Sequence, residues 1–141
     1  MLSWEFDISP SSFDEMEEHE TPEELALANA KGKAREVAEK HPNSLVLGVD
    51  TVVAVDDHQL GKPKDKEDHR RILNLLSGSV HQVISAICLI DSSTGKELCA
   101  NEATTIFMDK LNEKEVEDYI SEVVIGQVQI ELLLGTMQKK E

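Results

Sequence analysis

A carboxylate interrupts the most apolar stretch of this sequence. In "LGVDTVVAVDDHQLGKPKD", Leu47 to Asp65, Asp50 stands inside a run that is otherwise apolar from Leu45 to Val55. A buried carboxylate is costly unless it is paired, hydrogen-bonded or bound to a metal ion. The plain reading is that pleat alternation turns Asp50 out of the core, with Val49 and Thr51 on the other face. Lys62, inside Leu-Gly-Lys-Pro, shifts that balance. Gly61 permits close backbone approach to a ligand and Pro63 fixes the turn, so a lysine held between them suits an anionic phosphate oxygen. A surface-turn lysine is the alternative. Asp50 and Lys62 fall on neighbouring strands of a hairpin, where both can face one cleft. "NAKGKAREVA" adds Lys31, Lys33 and Arg35 along one helix, with Lys33 beside Ala30, Ala34 and Val37 near the buried stripe. Lysines in that position commonly snorkel at the rim of a core. His81, in "SGSVHQV", opens a strand and reads as a hydrogen-bonded structural residue. The five histidines show no HExxH or other metal spacing, and GxSxG, P-loop and GxGxxG motifs are absent.

The elements that must position these residues follow from pattern. "WEFDIS" alternates Trp4, Phe6 and Ile8 and predicts a short strand. Thr21 can cap a helix, Pro22 fits its first position and Glu24 completes a capping box, so a helix should run to about Lys40 and stop at "HPN". Leu45 to Val55, rich in valine, predicts a strand, and "DDHQLG" a turn into a short return strand. Asp65 can cap a second helix that buries Ile72, Leu73, Leu75 and Leu76 and stops at Ser77-Gly78. "VHQVISAICLI" and "LCANEATTIFM" predict two strands around the turn "DSSTGK". Asn112 and Glu115 then open a last helix with Val116, Tyr119 and Ile120 on its apolar side. Interleaved helices and strands indicate a mixed α/β or α+β sheet fold in a single domain over residues 1–141.

Composition narrows the function. A net charge of −14 repels phosphate backbones, so no nucleic acid polymer is expected as a partner, whereas a small phosphorylated ligand needs only a local basic pocket or a metal ion. No stretch has the roughly 20 apolar residues that would span a bilayer, so no membrane is expected. Cys88 and Cys99 form neither a CxxC pair nor a disulfide framework, and with no signal peptide in view a reducing cytoplasm is the expected setting.

Taken in order, these pieces resemble the Maf family of nucleoside triphosphate pyrophosphatases. "LGVDTVV" is similar to the family's G-A-D-T-V-V and "LGKPKD" to its L-G-K-P-x-D. "LNLLSGSVHQVISAICLI" resembles L-x-x-L-S-G-x-x-H-x-V-x-T-G-V, with Ser85-Ala86 for Thr-Gly. "FDE", Phe13 to Glu15, resembles the acidic element after the family's second strand, and "NAKGKA" its (L/N)-A-x-x-K-A, which selects Lys33 and leaves Lys31 unmatched. The resemblance covers residues 4–122 and implies a Maf/ITPase-like twisted sheet flanked by helices. It also implies hydrolysis between the α and β phosphates with a divalent cation, magnesium or manganese. In that scheme Asp50 is the general base and a metal neighbour, and Glu15 a second metal acid. Lys33 and Lys62 neutralise phosphate oxygens, and Thr51 is a specificity position. The D-T-V-V form with S-G-x-x-H-x-V resembles the branch acting on dTTP and UTP.

Two family features have no counterpart. The loop resembling L-A-S-x-S-P-R-R would precede "MLSWEFDIS", and D-K-A-G-A-Y-G-I-Q-G is replaced by "VVIGQVQIELLLGTMQKKE" over residues 123–141. A shifted frame through the codons of Ile125 to Val128 permits Arg-Ala-Gly-Ala, close to the family's K-A-G-A. A fold incomplete at both ends would expose sheet edges, which the apolar tail could cover or use for self-association into a homodimer. The alternative function is accordingly a Maf-like domain of weak or no activity that binds nucleotide or a protein partner.

Overall fold

Pro22 lacks a backbone donor and has its φ preset for a helix, and it stands at the start of α1 (Pro22–Lys40) with Thr21 as the cap. The computed structural model describes residues 5–122. In it the Thr21 hydroxyl accepts from the Glu24 backbone N–H at 3.2 Å. The helix closes at His41, whose N–H donates to the Ala38 carbonyl at 3.3 Å. β1 (Leu45–Val55) follows, and a tight turn with Asp56 at φ 49° leads into β2 (His58–Leu60). The two pair antiparallel, Val53 opposite Leu60, Ala54 opposite Gln59 and Val55 opposite His58. Asp65 caps α2 (Lys66–Leu76) by accepting from the Asp68 N–H at 2.8 Å. β3 (Val80–Asp91) and β4 (Lys96–Phe107) form the later hairpin. α3 (Glu113–Glu122) opens on a complete capping box. There the Glu115 N–H donates to Asn112 at 3.0 Å and the Asn112 N–H to the Glu115 carboxylate at 2.9 Å.

The described residues thus hold three helices and one four-stranded antiparallel sheet in the order β2-β1-β3-β4, the α/β class expected. They divide into two compact units. The first takes the residues up to Asp50 together with Ser85–Glu102; the second takes Thr51–Ile84 and the residues from Ala103 on. The core of the second unit joins Val53, Val55, Leu60, Ile72, Leu76 and Val83, with Leu73, Val116 and Ile120 as a further cluster. Of the stripe expected on α2, Ile72, Leu73 and Leu76 are buried and Leu75 is half-buried.

Two expectations are corrected. "WEFDIS" forms no strand among its described residues, where Phe6 and Ile8 are 79% and 84% exposed; Trp4 lies outside the described residues. Side chains rather than a ladder tie the following segment down. The Glu36 carboxylate accepts from the Ser11 hydroxyl at 2.7 Å and from the Ser12 N–H and hydroxyl at 3.0 and 2.8 Å. Ser9 meets His41 at 3.1 Å. The second correction concerns the cysteines: Cys88 and Cys99 are bonded to each other. Cys88 lies three residues before the end of β3 at Asp91, and Cys99 three residues after the start of β4 at Lys96. The hairpin therefore sets them face to face, and the premise of two free thiols behind the expected cytoplasmic setting does not hold. No helix among the described residues is long and apolar enough to cross a membrane.

His69 is a feature of α2 that its sequence neighbours did not mark. It is fully buried, packs its ring edge-on against Tyr119 at 5.5 Å, and neither ring nitrogen has a hydrogen-bond partner among the described residues. Burial lowers its pKa below the ordinary histidine value, with Asp68 opposing weakly. A histidine whose folded pKa is depressed adds stability that is fully present above its unfolded pKa of about 6.5 and is lost as pH falls toward the folded value. His81, also lowered by burial, adds in the same direction. Thermal melts from pH 7.5 down to 5 should show a falling midpoint in the parent and a flatter profile in His69→Phe. Parallel profiles would refute the assignment to His69.

Candidate active site

Helix and strand approach closely where Gly48 of β1 meets α1. A Cβ on Gly48 would lie 2.3 Å from the Ala30 carbonyl oxygen and 2.8 Å from the Ala34 Cβ. Ala26, Ala30 and Ala34 are fully or almost fully buried, so α1 presents a face of small residues to its surroundings. Lys33 stands next to that face, and the close approach carries its ammonium onto β1.

Alternation along β1 buries Val46, Gly48, Asp50 and Val52 and leaves Leu45, Leu47 and Val49 exposed. Asp50 therefore points to the covered side, where it is 7% exposed, rather than out of the core as plain pleat logic allowed. The Lys33 Nζ donates to its Oδ1 at 2.6 Å. The same ammonium lies 3.1 Å from the Glu15 carboxylate, so Glu15, Lys33 and Asp50 converge. Burial pushes the Asp50 carboxyl above the ordinary carboxylate range; Lys33 opposes this, Glu15 adds to it, and a hydrogen bond from Asn29 pulls down again. Burial works against the Lys33 charge, yet Asp50 and Glu15 hold its pKa above the usual lysine value. The lysine stays an ammonium, and the acid keeps more proton affinity than a solvated carboxylate.

Asn29 is the residue that sequence reasoning missed. It is buried on α1, its amide oxygen accepts from the Met16 N–H at 2.8 Å, and its amide nitrogen donates to the Met16 carbonyl at 3.0 Å. This two-point clamp fixes the residue after Glu15, while Glu36 fixes Ser11 and Ser12, the two residues immediately before Phe13. The Phe13 ring completes the anchorage by lying on Gly32, where a Cβ would come within 2.2 Å of it. The available signal was a polar residue in the buried stripe, four positions before Lys33 and one before Ala30.

The remaining candidates are placed as follows. Thr51, next to Asp50, is half-buried on the alternate side of β1. Lys62 is exposed in the second unit, two residues after the end of β2, followed by a buried Pro63. The structure thus brings Glu15, Lys33 and Asp50 into contact within the first unit. His81 is buried and its Nδ1 lies 2.9 Å from the Ser79 hydroxyl, the structural role expected. Lys31 and Arg35 turn elsewhere: both pair with Glu97 of β4, at 2.9 Å and at 2.6 Å, and with Arg35 first they hold the Glu97 carboxyl down to about 2.

Whether a divalent cation suits this site can be judged from its donors. Glu15 and Asp50 direct carboxylate oxygens at one point, the point the Lys33 ammonium occupies. Among the described residues no group of three or more His, Cys, Asp or Glu surrounds such a point. That donor set fits magnesium or manganese, hard cations that take one or two carboxylates and complete their shell with water and substrate phosphates. It does not fit a closed protein-only cage.

Glu15, Lys33 of α1 and Asp50 of β1 thus form an acid–lysine–acid cluster within the first unit. The family described as Maf-like protein matches residues 1–136, and the chain belongs to the Maf family. It is 42% identical over 117 residues to a dTTP/UTP pyrophosphatase of Ruminiclostridium cellulolyticum, covering 82% of this chain and 61% of that protein. To the protein of the same name from Clostridioides difficile it is 40% identical over 116 residues, 82% of this chain and 60% of the relative. A third, from Bdellovibrio bacteriovorus, is 49% identical over 76 residues, 54% of this chain and 40% of the relative. The chain spans about 60% of the length of the first two relatives.

Proposed function

We propose that this chain serves a nucleoside triphosphate pyrophosphatase acting on dTTP and UTP, cleaving between the α and β phosphates to give the monophosphate and pyrophosphate. The observation that carries the reading is the Glu15–Lys33–Asp50 cluster, with the ammonium 2.6 Å from one acid and 3.1 Å from the other. The names of the relatives supply the substrate class.

Each residue has a task in that reaction. Asp50, with proton affinity raised by burial, accepts the proton of the attacking water. Lys33 screens triphosphate oxygens that a protein of net charge −14 otherwise repels. The motif resemblance alone assigns Lys62 to phosphate oxygens and Thr51 to base selection. Glu15 and Asp50 would hold magnesium or manganese, which when bound neutralises charge on the phosphoryl oxygens. Asn29 and Glu36 keep Glu15 in place. Phosphoryl transfer depends on such positioning and charge neutralisation more than on covalent chemistry. The compartment proposed is the cytoplasm, on account of the substrate rather than the cysteines.

A panel of nucleoside triphosphates, assayed for pyrophosphate release with magnesium or manganese, tests this. Release is expected, fastest with dTTP and UTP, and lost with a chelator. Nucleotide binding without release would support the alternative of a non-catalytic Maf-like domain.

A further inference from the structure

An ionised carboxylate that is 7% exposed is costly unless it is paired, hydrogen-bonded or bound to a cation. In this structure that cation is Lys33, whose Nζ sits where the Asp50 and Glu15 oxygens converge. The other two cations of this helix segment are committed elsewhere, Lys31 and Arg35 both to Glu97. Resting on the pyrophosphatase reading, we infer that Lys33 is a built-in substitute for the divalent cation: the two exclude each other, and displacement of Lys33 couples cation entry to triphosphate binding.

The exclusion is geometric and electrostatic. A hard cation draws carboxylate oxygens to about 2.0–2.1 Å, and one held by both Asp50 Oδ1 and Glu15 Oε1 would sit at the point the Lys33 ammonium fills. Two positive centres converging on the same pair of oxygens repel, most strongly at the Asp50 end, which is 7% exposed, and less at Glu15, which is 41% exposed. Without nucleotide, the expelled ammonium has lost both of its carboxylate partners, so cation binding is opposed. With nucleotide, the triphosphate receives it. Cation and nucleotide therefore favour each other's binding, and Asp50 is never left bare. The positional cause is the snug seating of α1 on Gly48, together with Asn29 and Glu36, which hold Glu15 within reach of the same ammonium.

The test is a titration of the full, nucleotide-free chain with Mn2+ alone, read by calorimetry and by the electron paramagnetic signal of free Mn2+. The parent should bind weakly, and Lys33→Met should bind more tightly, on the order of tenfold. Asp50→Asn added to Lys33→Met should remove that gain. Equal or weaker Mn2+ binding by Lys33→Met overturns the inference. Because this variant leaves a buried acid without its lysine, the parent supplies a second measurement. The Lys33 ε-methylene resonances should move when Mg2+ is added with a non-hydrolysable triphosphate, and unchanged resonances again overturn it. Pyrophosphate release is measured separately. Mn2+ exclusion by Lys33 in a chain that releases no pyrophosphate would remove the enzymatic reading while leaving the exclusion standing.

Discussion

Asp50→Asn is expected to lower the rate of pyrophosphate release by about two to four orders of magnitude, the usual contribution of a positioned general base. The substitution keeps the size of the side chain and one oxygen for Lys33, but removes the proposed proton acceptor. Its structural cost should be moderate. Breaking a buried ion pair commonly costs about 3–5 kcal/mol. Here the loss should be smaller, about 1–3 kcal/mol, because Lys33 keeps Glu15 at 3.1 Å and its side chain is 18% exposed. Circular dichroism and a thermal melt establish the fold, and the pyrophosphate assay gives the rate. A folded variant that releases pyrophosphate at the parent rate would remove Asp50 from the mechanism.

Gly48→Ala should be the most damaging change of a single methyl group in the first unit. The added Cβ would stand 2.3 Å from the Ala30 carbonyl oxygen and 2.9 Å from the Ala34 nitrogen, and both are helix backbone that cannot rotate away. The helix must lift from the strand, at about 1–3 kcal/mol for overpacking of this kind. Lifting α1 also draws Lys33 away from Asp50, so the rate should fall together with the melting temperature. Gly32→Ala is the informative contrast. Its new Cβ would meet only the Phe13 ring, a side chain on an irregular segment that can swing aside. The melting midpoint should therefore fall markedly for Gly48→Ala and much less for Gly32→Ala. Equal shifts would show that the helix–strand approach is not what Gly48 serves.

Much of the architecture was legible because local chemistry and tertiary packing agree. Pro22, Asp65 and Asn112 mark helix starts that the structure reproduces, and the valine run marks β1 to the residue. Where local pattern misled, a competing interaction had won. Phe6 and Ile8 alternate as a strand would, yet the serines that follow are held to α1 by Glu36 and His41 instead of by a ladder. The cysteine pair is invisible to motif spacing but follows from equal distances to the turn at "DSSTGK". The site divides the same way. Asp50, Lys33 and Glu15 carry motif signals, and the structure brings these three together. Gly32, Gly48 and Glu36 act through clamps and close approaches that depend on residues distant in sequence and leave no local pattern, and Asn29 left only a polar position in the buried stripe.

The exposed side of the first unit's strands has a consequence for how the protein behaves in solution. Leu45, Leu47, Val49, Ile87 and Leu98 are 46–72% exposed on a chain of net charge −14. Molecules of this kind are kept apart by long-range like-charge repulsion and drawn together by short-range contact between such apolar side chains. At physiological ionic strength the repulsion reaches only about 8 Å, and further salt shortens it while leaving the apolar attraction intact. Light scattering of this chain should therefore rise as salt is added, since added salt removes the repulsion and spares the apolar attraction.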